Sequence, residues 1–199
     1  MTDAIIAHAD NNEPTAFTQK GLGWLPWLEP LAETGFTERH RAALVDPARI
    51  KSAYFRLLAR DPEILEARTR TDKDIFYNVA DGLPRAEREL AAAATSRVNG
   101  CIYCASVHAR FATTYSKRGE DVQRLLDEGV GIRIDPRWDA VIAASAALTA
   151  TPATFDGSHI AALRAAGLDD AEIVDVINAA AFFNWANRLM LSLGEPAGP

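Results

Sequence analysis

In this chain of 199 residues, the segment ELAAAATSRVNGCIYCASVH, residues 89–108, carries the clearest signals of secondary structure. Four consecutive alanines, the residues with the highest helix propensity, predict that its first half is helical. Asn99 and Gly100 tolerate the left-handed backbone conformation that ends a helix, and a second helix can begin at Cys101. The stretch therefore predicts two helices joined by a tight reversal that returns the second helix alongside the first.

The sequence on either side of this hairpin shows mainly the apolar spacing of α-helices. No alternating run of β-branched residues is long enough to indicate a sheet, so we predict an all-α protein. Helices are predicted at about residues 38–45, 48–58, 62–78, 84–98, 101–117, 121–128, 136–149, 160–166 and 170–193. We interpret residues 37–199 as a single helical domain behind an N-terminal arm, residues 1–36. Because the arm carries two Trp, we expect it to cover the core or a partner subunit.

The composition excludes several classes of function. Hydrophobic residues make up 48% and charged residues 24% of the chain, as in ordinary globular proteins. The formal net charge is −6 and Lys and Arg form no block, which argues against nucleic-acid binding. The longest uncharged stretch, residues 140–155, is too short to span a membrane and contains Pro152. Since residues 1–14 lack the features of a secretory signal, we expect a cytoplasmic protein without membrane contact.

Two cysteines, Cys101 and Cys104, carry the most specific signal. Two cysteines placed at random in such a chain lie three positions apart in about one case in a hundred. In a helix that begins at Cys101, Cys104 and His108 follow on the same face. A place in the first turn lowers thiol pKa values, because backbone N–H groups and the helix dipole favour the thiolate. The cluster therefore indicates thiol chemistry, with His108 as an acceptor for the Cys104 proton.

The preceding helix offers a carboxylate to this cluster. Glu87 and Glu89 both lie on that helix, which the reversal brings back beside the cysteines. The surrounding alanines make the neighbourhood apolar, which suits a carboxylate that passes protons near neutral pH. The spacing of the residues does not choose between the two carboxylates.

The order and spacing of four residues resemble a known signature. Glu89 is followed after eleven intervening residues by Cys101, after two more by Cys104 and after three more by His108. This arrangement resembles the pattern of alkylhydroperoxidase D-like proteins in the carboxymuconolactone decarboxylase superfamily. The resemblance extends over about residues 83–193, the core that it implies for the helical domain. The residues before it are similar to the extension of the uncharacterised peroxidase-related branch.

The resemblance implies a thiol-dependent peroxidase. In it, Cys104 attacks hydrogen peroxide or an organic hydroperoxide, becomes a sulfenic acid and condenses with Cys101 to a disulfide, while Glu89 and His108 relay protons. A thiol or lipoyl-type protein then reduces the disulfide, and no flavin, haem or metal cofactor is implied. Large apolar helix faces and the family both indicate a homo-oligomer. Well-studied members carry a histidine where this chain has Tyr103, and a phenol shuttles protons poorly at neutral pH, so we expect slow turnover.

The roles of the two cysteines rest on opposing considerations. Cys101 lies nearer the start of the helix and experiences the stronger dipole, which favours it as the nucleophile. His108 is one turn from Cys104 and about two turns from Cys101, which favours Cys104. We follow the resemblance and assign the attack to Cys104.

Other functions explain parts of the pattern. A zinc site would take Cys101, Cys104 and His108, but structural zinc requires a fourth ligand that the sequence does not offer. A thioredoxin-like site requires a βαβ framework. A redox-sensing interaction module would use the same cysteine pair as a switch, whereas the decarboxylase and lactone enzymes of the superfamily lack this pair. The remaining histidines have no companion at ligand spacing and are interpreted as surface or capping residues: His8, His40 and His159.

Asn184, Asn187 and Arg188 share one face of the otherwise apolar last helix. Buried polar groups require hydrogen-bond partners. These three side chains can either line a pocket or bind across a subunit interface, and the sequence leaves both possibilities open.

Overall fold

The computed structural model describes residues 5–78 and 80–198. The α-helices and strands of this part are, in order, β1 (Gly23–Pro26), α1 (Glu38–Ala43), α2 (Ala53–Leu58), α3 (Pro62–Tyr77), α4 (Arg85–Asn99), α5 (Ile102–Ser116), α6 (Gly119–Glu128), α7 (Pro136–Thr149), α8 (Gly157–Ala165), α9 (Asp170–Leu193) and β2 (Gly194–Ala197). The prediction of an all-α protein is confirmed, with one small sheet added. Within the described residues, no helix is long and apolar enough to span a membrane.

The alanine-rich helix α4 lies at the centre of the molecule. Every residue from Arg88 to Ser96 is buried, because α5, α7 and α9 pack around this helix. The alanine side chains are small, so the neighbouring helices approach α4 closely and few voids remain. A smaller apolar cluster joins α1, α2 and α3 around Leu44 and Leu65. The carboxylate and the cysteines of the signature therefore lie at the most enclosed part of the fold.

The reversal between α4 and α5 forms as the sequence predicts. Gly100 has a φ of 76°, the left-handed conformation that a residue without Cβ adopts at least cost. The backbone N–H of Cys101 donates to the carbonyl of Ser96 at 3.0 Å, and its carbonyl accepts from the N–H of Ala105 at 3.0 Å. The first of these bonds ends α4 in a Schellman motif, and the second begins α5. Cys101 thus belongs to both helix ends.

Asp residues begin several helices where the sequence indicates them. Asp135 accepts hydrogen bonds from the first-turn backbone of α7, and Asp61 does the same for α3. The continuous helix predicted at residues 48–58 is wrong. Residues Pro47–Lys51 form a 3₁₀ turn, Ser52 is extended, and α2 follows. This interruption presents the neighbouring rings of α2 to the interior.

The N-terminal arm covers the core of its own chain. Its strand β1 pairs antiparallel with β2, which continues directly from α9. The Trp24 ring packs edge-on against Tyr54 at 5.5 Å between centroids. Gly194 allows this packing, since a Cβ there would overlap the Trp24 ring and the carbonyl of Leu25. The sheet was not predicted, because each strand is four residues long and interrupted by Gly and Pro.

Candidate active site

The hairpin of α4 and α5 places Glu89 beside His108. Oε2 of the carboxylate lies 2.5 Å from Nδ1 of the imidazole, and both side chains are buried. Glu87 points elsewhere and forms an ion pair with Arg137 of α7 at 3.2 Å. Glu89, and not Glu87, is therefore the carboxylate that faces the cluster.

Glu89 also forms an ion pair with an arginine side chain. Its Oε1 accepts a hydrogen bond from Nε of Arg85 at 3.0 Å. The Arg85 guanidinium lies 4.2 Å from the ring centre of Tyr77 and 4.4 Å from that of Tyr115, so aromatic faces enclose it. The buried charge of the carboxylate is thus compensated on one side by a guanidinium and is bound on the other by an imidazole.

The ring of His108 is held in one orientation. Its centroid lies 3.9 Å from that of Phe183 and 5.3 Å from that of Phe76. Since Nδ1 binds Glu89, Nε2 is the ring nitrogen left for chemistry in the cavity beside it. A fixed imidazole with one committed nitrogen is suited to moving a proton at the other.

Cys101 and Cys104 are buried free thiols, Cys101 at the N-cap of α5 and Cys104 in its first turn. A hydrogen bond from the Cys104 thiol lowers the pKa of Cys101, although burial opposes this shift. The same hydrogen bond raises the pKa of Cys104 well above its usual value, and burial adds to the rise. The two thiols are therefore coupled, and the proton of one stabilises the thiolate of the other.

A cavity of about 170 Å³ leads to Cys104. Aromatic rings form much of its wall, and its acidic and basic side chains are Arg68, Asp72, Arg85, Glu89 and His108. The aromatic lining residues are Tyr54, Phe55, Phe76, Tyr77, Tyr103, Phe111 and Phe183. We call this space the aromatic cavity. The Cys104 thiol, the His108 imidazole and the Glu89 carboxylate all line this one cavity.

Cys101 lines a different and smaller cavity of about 70 Å³. The arm contributes Glu13 and Trp24 to its wall, and the end of the chain contributes Gly194 and Pro196. We call this space the arm cavity. The two cysteines are therefore accessible from different sides, although they are three residues apart in sequence.

Sequence reasoning left the role of Asn187 open. It is fully buried on α9, where Nδ2 donates to Oγ of Ser96 at 3.0 Å and Oδ1 accepts from Nδ2 of Asn99 at 3.1 Å. Asn99 also donates to Oδ1 of Asn184 at 3.1 Å, and Arg188 donates to Thr151 at 3.2 Å. All three side chains thus have partners within the chain. Asn187 and Asn184 bind the reversal that carries the cysteines.

The other histidines have local structural roles. His40 and His159 each complete a capping box at the start of a helix, α1 and α8 respectively. Nε2 of His8 lies 2.9 Å from the carbonyl oxygen of Pro26, and this contact joins the first part of the arm to its strand β1. Each of these histidines thus has a structural contact of its own, and none of them lines the aromatic cavity.

Metal binding requires several ligands that converge on a point. In residues 5–78 and 80–198, no group of three or more His, Cys, Asp or Glu side chains is arranged to hold a metal ion. The two thiols and His108 thus meet as neighbours on α5 and not as a coordination shell.

Two features of this chain bear on the class of protein that it resembles. The first is an all-α fold centred on α4, and the second is a pair of thiols beside a buried carboxylate and imidazole. Residues 62–150 match the family model described as the Carboxymuconolactone decarboxylase family, a range that covers α3 to α7. The match covers 89 of the 199 residues and agrees with the resemblance to the carboxymuconolactone decarboxylase superfamily stated from the sequence.

Solved structures share the fold. An uncharacterised peroxidase-related protein from Ralstonia eutropha JMP134, described as an alkylhydroperoxidase AhpD core, has a TM-score of 0.69 and 23% identity, covering 82% of this chain and 88% of its own. A peroxidase-related protein from Silicibacter sp. TM1040 has a TM-score of 0.67 and 23% identity, covering 94% of this chain and 93% of its own. No curated protein matches the sequence significantly.

An enzyme of another activity has the same fold. The debrominase Bmp8 has a TM-score of 0.67 and 17% identity, covering 82% of this chain and 87% of its own. A cysteine-to-alanine variant of that debrominase, solved in complex with 2,3,4-tribromopyrrole, has a TM-score of 0.64 and 16% identity, with 82% and 87% covered. Enzymes with this fold therefore include both peroxidase-like proteins and a debrominase.

Proposed function

We propose that this protein is a thiol-dependent peroxidase that reduces hydrogen peroxide or organic hydroperoxides. One observation carries the proposal: Cys104 lines the same cavity as His108, whose Nδ1 lies 2.5 Å from the Glu89 carboxylate. A thiol whose pKa is raised needs a base before it can attack, and the imidazole one helical turn away supplies it. Access also favours Cys104, because it lines the larger aromatic cavity, whereas Cys101 lines the smaller arm cavity.

In the first step, the Cys104 thiol transfers its proton to Nε2 of His108. The thiolate sulfur attacks the terminal oxygen of the hydroperoxide, the O–O bond breaks, and the proton goes to the departing alkoxide, which leaves as an alcohol. Cys104 is then a sulfenic acid. Glu89 stabilises the imidazolium that exists between the two proton transfers, and Arg85 holds the carboxylate in place.

In the second step, Cys101 attacks the sulfenic sulfur. The proton of the Cys101 thiol passes to the sulfenic oxygen, directly or through Nε2 of His108, which is neutral again after the first step. A disulfide forms and the sulfenic oxygen leaves as water. Asn187 binds the reversal from α9 and keeps the two sulfurs in register.

The third step requires an external dithiol. A lipoyl-type or similar thiol protein exchanges with the disulfide, which returns two electrons and two protons to the cysteines and leaves the partner oxidised. The cycle as a whole converts a hydroperoxide and a dithiol into an alcohol, water and a disulfide. No step requires a further cofactor, and we propose that the protein acts as a homo-oligomer in the cytoplasm.

A second candidate function is reductive dehalogenation of a small aromatic ring. The shared fold of the debrominase favours it, together with an aromatic cavity of about 170 Å³, since an apolar cavity of about 150 Å³ holds benzene. The thiolate would take the halogen, His108 would protonate the ring carbon, and Cys101 would displace halide as the disulfide forms. The net consumption of two electrons from a dithiol is the same.

The first experiment is a thiol titration with intact mass measurement, before and after one equivalent of cumene hydroperoxide. The peroxidase proposal expects two thiols to fall to none with a loss of about 2 Da, and sustained peroxide consumption with dihydrolipoamide. A disulfide that forms once without turnover would favour a redox switch instead. Unchanged thiols, together with bromide release from a bromopyrrole, would favour the dehalogenase.

A further inference from the structure

Arg68 lines the aromatic cavity and has no part in the thiol chemistry proposed above. It lies on α3, and its exposed fraction is 9%. Tyr54 of α2 lines the same cavity at 7% exposed. A buried guanidinium is costly unless it is paired, so its presence at this wall requires an explanation.

Some polar atoms of these two side chains lack hydrogen-bond partners. In the described part of the chain, Nε and Nη1 of Arg68 and the hydroxyl of Tyr54 are buried without a hydrogen bond. Oδ2 of Asp72 lies 3.3 Å from Nη1 of Arg68, at ion-pair distance, but it is also bound by Nη2 of Arg49 at 3.2 Å. Two guanidinium groups therefore share one carboxylate, which leaves one positive charge uncompensated.

Aromatic rings hold the Arg68 guanidinium in position. Its central carbon lies 5.3 Å from the ring centre of Phe182, 5.4 Å from that of Phe55 and 6.0 Å from that of Tyr54. Ring faces attract a cation, but they do not accept the in-plane hydrogen bonds of a guanidinium as an oxygen does. The group is thus fixed in place, and part of its hydrogen-bonding capacity is unused.

We propose that Arg68 and Tyr54 form a subsite for a carboxylate, so that the organic substrate is a small hydroperoxide with an apolar body and one carboxylate group. This inference rests on the peroxidase function proposed above. A guanidinium and a phenol present donors that match carboxylate oxygens, and the ion pair removes the excess positive charge. The cavity of about 170 Å³ accommodates a body the size of one aromatic ring.

The test compares two substrates that differ in one group: cumene hydroperoxide and its 4-carboxylate derivative. For the wild-type protein, kcat/KM is expected to be about tenfold or more higher for the carboxylate. In Arg68→Gln this ratio should fall towards one, Arg68→Lys should restore part of it, and Tyr54→Phe should lower it less. Arg70→Gln is the matched control, because Arg70 lies on the same helix with its side chain 66% exposed and should keep the wild-type ratio.

Two kinetic results would overturn the subsite. One is a wild-type ratio near one. The other is an equal loss for both hydroperoxides in Arg68→Gln, because the Arg68 charge would then act on Cys104. Its effect on the Cys104 pKa is to lower it, against the larger rises caused by Cys101 and burial.

A binding measurement separates the subsite from the peroxidase function. If neither hydroperoxide is consumed, the proposed function fails, and unreactive 4-isopropylbenzoate still tests the subsite by calorimetry. The wild-type protein should bind it about tenfold or more tightly than 4-isopropylbenzamide, and Arg68→Gln should lose this difference. Equal affinity of the wild-type protein for the acid and the amide would overturn the subsite, whatever the fate of the hydroperoxides.

Discussion

Cys104 and Cys101 lie about one helical turn apart, but their surroundings differ in size and charge. The aromatic cavity beside Cys104 is about 170 Å³ and contains two guanidinium groups, two carboxylates and an imidazole. The arm cavity beside Cys101 is about 70 Å³, and Glu13 is the one ionisable group in its wall besides the cysteine and Tyr103. Tyr103 and Met190 line both spaces.

Under the proposed peroxidase function, this difference separates two chemical tasks. The aromatic cavity has room for an organic substrate and groups that move protons, whereas the arm cavity offers a covered thiol whose pKa is lowered. Burial raises the pKa of the intervening Tyr103, and a thiolate at Cys104 or Cys101 adds to the rise, so its phenol does not serve as a base near neutral pH. The two sides of one cysteine pair are therefore suited to attack and to resolution respectively.

The largest effect is expected for the thiol on the aromatic side. Cys104→Ser should lower peroxide consumption by about 10³-fold or more, because a serine hydroxyl is a far weaker nucleophile at neutral pH. Cys101→Ser should still react once and stop at a sulfenic acid, which dimedone labelling followed by mass spectrometry detects. Full activity of Cys104→Ser would reverse the roles assigned to the two sides.

The second-largest effect is expected for Glu89, whose carboxylate lines the aromatic cavity and not the arm cavity. Glu89→Gln should slow peroxide reduction by about 10²-fold, because the neutral amide no longer stabilises the His108 imidazolium. Stopped-flow measurement of the first oxidation isolates this step, and thermal melting checks the fold. Glu87→Gln is the control, since its carboxylate pairs with Arg137 outside the aromatic cavity and its loss should leave the rate unchanged. Equal slowing in both variants would contradict the relay.

A third prediction concerns the pH dependence of the two thiols. In Cys101→Ala, the main cause that raises the Cys104 pKa is removed, so alkylation of Cys104 by iodoacetamide should rise at lower pH than in the wild-type protein. In Cys104→Ala, Cys101 loses the hydrogen bond that lowers its pKa, so its profile should move to higher pH. Shifts in the same direction would exclude a shared proton.

The smallest effect is expected where the arm covers Cys101. Trp24→Ala removes a ring from the arm cavity and its edge-on contact with Tyr54. Alkylation should accelerate several-fold at Cys101, more than at Cys104, and the free energy of unfolding should fall by about 2 kcal/mol. Trp185→Ala, at an exposed ring of α9, provides the comparison and should leave the Cys101 rate unchanged. Peptide mapping after timed alkylation measures both sites.

The part of the site formed by residues close together in sequence was predicted from the sequence. The alanine run, Gly100 and the spacing from Glu89 to His108 together lie within 20 residues, so helix propensity and one left-handed residue are enough to bring them together. Asp residues at the N-cap positions likewise predicted the starts of α3 and α7. In such stretches, local preference and tertiary packing favour the same structure.

The other contributions depend on contacts between distant segments. In the sequence, Arg68 is one of several charged residues on a predicted amphipathic helix. None of its neighbours in the sequence indicates that side chains of α2 and α9 bury it. Tyr54 follows a break at Ser52 that the uninterrupted pattern of residues 48–58 conceals. Pairing between β1 and β2 joins segments from the two ends of the chain, and short strands with Gly and Pro carry no periodic signal.

The small sheet also has a consequence for the order in which the molecule folds. Its two strands lie up to about 170 residues apart in sequence, so their pairing closes a very long loop and depends on α9 being in place. We expect this closure to come last, after the hairpin of α4 and α5 has assembled. During refolding, pulsed alkylation should therefore label Cys101 longer than Cys104, and shielding of Cys101 marks the completed fold.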